Sequence, residues 1–203
     1  MNDIISELTQ NILDTSWIEY VAVIFGILSV WYARKENILV YPAGIINVLI
    51  FVYLCYDAGL YANMGINVFY FGMSVYGWYA WTRKDANEKV LAISRCSLPY
   101  GVVMMALLII FFFLLRYVLM HHTDSTVPGI DAFTTAIFII GMWLMARKKV
   151  ENWIAWIIGD VICIPLYAHQ GLIFSSLQFL IFLVIAILGF ISWRRKLRSA
   201  DIR

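Results

Sequence analysis

Residues 25–35 read F-G-I-L-S-V-W-Y-A-R-K, and residues 138–148 read F-I-I-G-M-W-L-M-A-R-K. Both are apolar runs that close on A-R-K, with an offset of 113. A second set of matches lies further along the chain. Gly59-Leu60, Gly77, Trp81, Arg83 and Lys84 recur as Gly171-Leu172, Gly189, Trp193, Arg195 and Lys196, an offset of 112. Any two apolar segments resemble one another loosely, but glycines, tryptophans and basic residues repeated in order at nearly one offset go beyond that. They predict two three-helix units joined by one extra helix. Three helices plus a linker return the chain to its starting side, so the units share one orientation. Their pseudo-two-fold axis then runs along the membrane normal, and a binding site lies between them.

Composition requires the membrane. Of 203 residues, 63% are apolar or aromatic and 14% are charged, whereas a soluble domain is about half apolar and about a quarter charged. Seven apolar runs cover roughly residues 17–33, 38–56, 60–81, 98–120, 130–146, 153–168 and 172–193, and a spanning helix needs about 20 residues. The sixth is short and carries Asp160, but charge supports it. With seven spans, one side receives Arg34, Lys35, Arg83, Lys84, Lys89, Arg95, Arg147, Lys148, Lys149, Arg194, Arg195, Lys196, Arg198 and Arg203. The other side receives none, and only Arg116 lies within a run. Basic loops stay in the cytoplasm, so the N-terminus is expected outside and the C-terminus inside. The expected organisation is an all-α integral membrane protein: segment 1–16, first repeat 17–81, linker helix 98–120, second repeat 130–193 and basic tail 194–203. Residues 1–16 lack the basic region and cleavage site of a secretory signal.

Polar groups inside spans carry the functional information, because each is costly in hydrocarbon unless it faces protein or water. Trp153, Trp156 and Asp160 stand at i, i+3 and i+7, on one face of the sixth helix, just after Asn152. Two indoles and a carboxylate on one face suit a flat, cationic aromatic ligand. The same spacing also suits an interfacial tryptophan belt with an aspartate paired to another helix. The second helix offers Asn47, and the third offers Asn67, Tyr70 and Ser74 on a shared face; Gln178 lies in the seventh. These could hydrogen-bond a hydroxylated ligand or simply join helices. Glu19 and Gln170 fall near the outer surface, and residues 77–81, G-W-Y-A-W, read as an interface anchor.

Other chemistries lack their signatures. His121, His122 and Asp124 read as a solvated outer loop and not a metal site. Cys55, Cys96 and Cys163 have no ligand spacing and read as small core residues. There is no phosphate-cradling loop, zinc-protease helix or nucleophile elbow, so neither ATP hydrolysis nor other catalysis is expected, and no metal, cofactor or nucleic acid is implied.

Residues 150–160, V-E-N-W-I-A-W-I-I-G-D, resemble the V-E-N-W-x-x-W stretch of the PnuC-type family of bacterial vitamin transporters, whose second Trp is followed by an Asn or Asp. Residues 76–81, Y-G-W-Y-A-W, are similar to that family's Y-G-W-Y-x-W, and Ser16-Trp17-Ile18-Glu19 and Gly44-x-x-Asn47 also match. The likeness runs over about residues 17–193. It implies a three-plus-one-plus-three fold in the bacterial inner membrane, in contact with lipid and compatible with a homo-oligomer. It also implies facilitated diffusion of nicotinamide riboside, with a cytoplasmic vitamin kinase trapping the product. By this resemblance Trp153 and Trp156 would contact the aromatic ring, and Asp160 would occupy the Asn/Asp position. Riboside carriers of the family often have Asn in place of Asp160 and Gln in place of Asn67. Thiamine, also a flat cation and carried by relatives, is therefore the alternative.

Overall fold

Two turn types set the path of the chain, and each depends on one backbone state. The first helix, α1 (Trp17–Arg34), begins at Ser16, whose side chain accepts a hydrogen bond from the Glu19 backbone N–H. Its C-terminus is closed by a left-handed residue, Glu36, at φ 58°. The Glu36 N–H donates to Ala33 O and the Asn37 N–H to Tyr32 O, the pairing that satisfies the last carbonyls of a helix. The same turn follows the fifth helix: Lys148 has φ 48°, and the Lys148 and Lys149 N–H groups donate to Met145 O and Leu144 O. At the opposite end Gly59 and Gly171 hold φ 70° and 76°, a region that glycine enters without strain.

The computed structural model describes residues 16–84, 88, 90–123 and 125–201. The expectations for residues 1–15, Lys89, Asp124 and Arg203 lie outside these. Among the described residues there are seven helices and no extended strand. After α1 come α2 (Val40–Asp57), α3 (Tyr61–Thr82), α4 (Leu98–His122), α5 (Pro128–Ala146), α6 (Asn152–His169) and α7 (Ile173–Asp201). Five of them, α1, α2, α4, α5 and α7, are long and apolar enough to cross a membrane by length and composition. The other two, α3 and α6, are more polar, and they carry Asn67, Tyr70, Ser74, Asn152 and Asp160.

Two boundaries differ from expectation. The basic tail is not a separate segment: α7 continues through Arg194–Arg198 to Asp201, because Arg, Lys and Leu favour helix and neither Gly nor Pro intervenes. His121 and His122 belong to the last turn of α4 rather than to a loop, and His121 packs on Tyr117. No group of three metal-ligating side chains occurs among the described residues.

The helices pack as a ring. Neighbours α1–α2, α2–α3, α5–α6 and α6–α7 touch, and the ring is completed where α3 meets α5 and α7 meets α1. The linker α4 touches only α5 and leaves Val102, Met105, Ile109, Phe113 and Tyr117 exposed. Its approach segment is tied to the α5–α6 turn. Ser94 N–H donates to Lys148 O, Val150 N–H to Ser94 O, and Cys96 N–H to Glu151 Oε2.

Both ring-completing contacts use the same device. Trp81 Nε1 of α3 donates to Met145 O of α5 at 3.2 Å, and Trp193 Nε1 of α7 donates to Ala33 O of α1 at 3.1 Å. Each bond is buried and gives a helix-terminal carbonyl a second donor beside the turn N–H of Lys148 or Glu36, so losing it removes one buried hydrogen bond. Trp81→Phe and Trp193→Phe should each cost about 1 kcal/mol. Equal falls in melting temperature for the purified protein would confirm the equivalence; a loss at only one of them would refute it.

Candidate functional site

Helix α6 turns its i, i+3, i+7 face to the protein interior. Trp153 is 1% exposed and Asp160 2%, whereas Ile154, Ile158 and Val161 on the other side are exposed. Interfacial belt tryptophans face lipid headgroups, so these indoles are not a belt. Gly159 allows the close packing: a Cβ there would meet the Phe138 ring at 2.1 Å. Phe138 of α5 consequently lies flat beside Trp156, with centroids 5.2 Å apart and planes at 25°. Beyond it Phe179 of α7 lies parallel at 6.3 Å and 7°, and Tyr167 of α6 continues the column at 5.2 Å and 6°.

Trp153 occupies a different place. Its ring packs edge-on to Trp193 at 5.5 Å and against the backbone at Gly189, in the core nearest the basic helix ends. Asn152, the first residue of α6, lies beside it and donates from Nδ2 to Lys149 O of the preceding turn at 2.5 Å. Asp160 is two turns further along α6, about 12 Å from Asn152. Asp160 Oδ2, Trp153 Nε1, Trp156 Nε1 and Asn152 Oδ1 are buried with no hydrogen-bond partner among the described residues. Buried polar atoms are normally paired, because an unmet one costs about 1–3 kcal/mol. Four on one helix mark where a polar partner would be accepted.

The polar residues of the first three helices are dispersed. Asn47 donates from Nδ2 to Ala22 O at 2.7 Å and so ties α2 to α1. Asn67 donates to Asn63 O within its own helix. Ser74 is buried and sits with Ser29 around Gly44. Tyr70 reaches furthest across, near enough to Cys163 and Tyr167 of α6 to interact with them electrostatically. Gln178 is half-buried on α7. The structure therefore keeps Trp156 and Asp160 on one face of α6, sets Tyr70 near Cys163 and Tyr167 of the same helix, and leaves Trp153 and Asn152 nearer the basic end.

Phe138 and Phe179 were not legible as site residues, since a phenylalanine in an apolar run carries no mark of which way it faces. The repeat does not mark them either: Phe179 stands 112 residues after Asn67, and Phe138 pairs with Phe25 at the 113-residue offset of its own stretch.

The family described as "Nicotinamide mononucleotide transporter" matches residues 16–195. The chain belongs to this family. It is 33% identical to the nicotinamide riboside transporter PnuC of Escherichia coli (strain K12), over 94% of this chain and 90% of that protein. It is 26% identical to the PnuC of Neisseria mucosa, over 89% and 73%. The riboflavin/roseoflavin transporter RibM of Streptomyces davaonensis is 24% identical over 87% and 84%. A crystal structure of the vitamin B3 transporter PnuC superposes with a TM-score of 0.74, covering 97% of this chain and 88% of that one at 23% identity, which shows the shared fold. Family and fold are those of multi-pass membrane transporters, and this chain is a transporter, not an enzyme.

Proposed function

We propose that this protein carries nicotinamide riboside across the bacterial inner membrane by facilitated diffusion. The observation that carries the reading is the unpartnered Asp160 carboxylate on the same buried face as Trp156, which is itself backed by stacked rings. The riboside is a pyridinium cation with a hydroxylated tail. Its ring suits the Trp156–Phe138 column, its charge suits Asp160, and its hydroxyls suit the side of Asn47, Asn67, Tyr70 and Ser74. Trp153 and Asn152 would line the path toward the basic end, and Gln178 the α7 side. Among the described residues, every Lys and Arg apart from Arg116 lies at the basic helix ends or in the segments joining them, and Asp160 Oδ2 has no cationic partner, so a mononucleotide's phosphate would meet no counter-charge there. Among the relatives named above, the PnuC proteins are nicotinamide riboside transporters and none is a thiamine carrier.

The ring of helices supports two repeats, α1–α3 and α5–α7, related by a pseudo-two-fold axis, with α4 as linker. Contact α3–α5 is then the mate of α7–α1. On this reading all seven helices span the bilayer, α3 and α6 being polar because they face the interior. On the same reading fourteen of the fifteen basic residues fall on one side, which supports a cytoplasmic C-terminus. A cytoplasmic kinase would phosphorylate the delivered vitamin and prevent its return.

Nicotinamide riboside titrated into the purified protein should quench tryptophan fluorescence with a dissociation constant of about micromolar order. Thiamine should quench only at far higher concentration. Trp156→Ala should weaken riboside binding by about tenfold or more, the worth of a desolvated cation–π and stacking contact. No response to riboside well above micromolar would refute the assignment.

A further inference from the structure

Glu36 and Lys148 are 112 residues apart, the repeat offset, and occupy equivalent left-handed positions in the α1–α2 and α5–α6 turns. They are bonded to each other. Lys148 Nζ lies 2.8 Å from Glu36 Oε1, and the lysine is only 5% exposed. Lys196 from the end of α7 takes the other carboxylate oxygen, Oε2, at 2.8 Å. One carboxylate thus joins three chain segments where the two halves meet.

The cluster rests on a layer of rings. The Lys148 ammonium stands 4.4 Å over the Trp81 ring. Trp81 lies 6.1 Å from Trp193, while Tyr41 meets Trp81 edge-on at 5.2 Å and Trp153 meets Trp193 likewise at 5.5 Å. Tyr41 and Trp153 are again 112 apart. The rings and the ion cluster together close the basic end of the interior.

We propose that Glu36, Lys148 and Lys196 form an ionic gate on the cytoplasmic side of the carrier, whose parting opens the interior to that side. A charged pair so buried adds little net stability compared with an apolar pair, although removing one partner strands the other. Its value lies in favouring one arrangement of two parts. Two of the three gate residues, Glu36 and Lys148, also adopt a backbone state that costs a non-glycine residue energy, and such strain concentrates at switch regions. Burial would push the Glu36 carboxyl up, but the hydrogen bonds and charges of Lys148 and Lys196 outweigh it and hold the group below its ordinary value. The Glu36 carboxylate is therefore ionised at neutral pH. Lys196 is half-exposed and free to swing into water when the gate parts.

The inference takes its direction from the carrier reading, but its test uses no vitamin. In a Cys55→Ser, Cys96→Ser background, buried Cys163 of α6 is the sole thiol reporter of the interior. A small membrane-impermeant thiosulfonate is applied to oriented vesicles from the side of the basic helix ends. Glu36→Gln and Lys148→Gln should each raise the labelling rate from that side by about tenfold or more, and only from that side. The exchange Glu36→Lys with Lys148→Glu rebuilds the pair in mirror image and should return the rate to its starting value. Unchanged rates in both single variants would overturn the gate. So would equal increases from both sides, which signal general loosening, or failure of the exchange to restore protection. Failure of riboside to bind would leave these rates unaffected, so the two readings fail separately.

Discussion

Asp160→Leu should make the ligand-free protein more stable while weakening binding of a cationic substrate by about ten- to a hundredfold. The carboxylate is 2% exposed, and its Oδ2 has no partner among the described residues. An unmet buried acceptor costs about 1–3 kcal/mol, and an apolar side chain of similar size removes that cost. The melting temperature of the purified apo protein should therefore rise by several degrees, as unfolding midpoints do for such gains in domains of this size. A charge-assisted hydrogen bond lost from a dry site is worth about 1.5–3 kcal/mol, so riboside affinity should fall by about ten- to a hundredfold. Asp160→Asn separates the contributions. If hydrogen bonding alone matters, it should retain most of the affinity that Asp160→Ala loses. Equal and large losses would show that the negative charge itself is required. A variant that is both less stable and fully active would show that Asp160 has a structural partner and no substrate role.

The seven helices were legible because the length of apolar runs is a quantity that a sequence displays directly. The sixth helix was the hardest, and Asp160 was the reason. A group that weakens the hydrophobic signal of a span is also the group that marks its interior face. Neither α3 nor α6 is apolar enough to stand out as a span by composition. Helical spacing put Trp153 and Asp160 on one face but left open whether that face was the interior or an interfacial belt, and only packing decides it. The division of labour between Trp153 and Trp156 did not. It depends on Gly159 and Gly189, which admit Phe138 and Trp153 respectively, and a glycine's neighbours are set by tertiary packing. Phe138 and Phe179 were hidden for another reason. Lipid and protein interior are equally apolar, so periodicity says little about which phenylalanines face inward. The Glu36–Lys148 pair was hidden among loop charges that otherwise read as topology signals alone.

Alanine at Gly77 or at Gly189 should be among the most damaging small substitutions in the protein, and the two should behave as a matched pair. A Cβ at Gly77 would lie 2.3 Å from the Tyr41 ring, and one at Gly189 would lie 2.6 Å from the Trp153 ring. Neither ring can swing away, because Tyr41 and Trp153 are buried and each stands edge-on to a further tryptophan. Overpacking of this kind costs about 1–3 kcal/mol and occasionally more. Trimming the ring should relieve it: Gly189→Ala with Trp153→Leu, and Gly77→Ala with Tyr41→Leu, should each be less destabilised than the sum of their singles. The crossed combinations, Gly77→Ala with Trp153→Leu and Gly189→Ala with Tyr41→Leu, place clash and relief in different halves. Their effects should add to within about 0.5 kcal/mol. Coupling as large in the crossed pairs as in the matched ones would mean that the four rings form one undivided core, in which the two halves could not part at this end. Coupling confined to the matched pairs would show each glycine–ring wedge to be internal to one half. The Trp81–Trp193 contact would then be the surface along which the halves separate, with the ions of Glu36, Lys148 and Lys196 holding that surface shut.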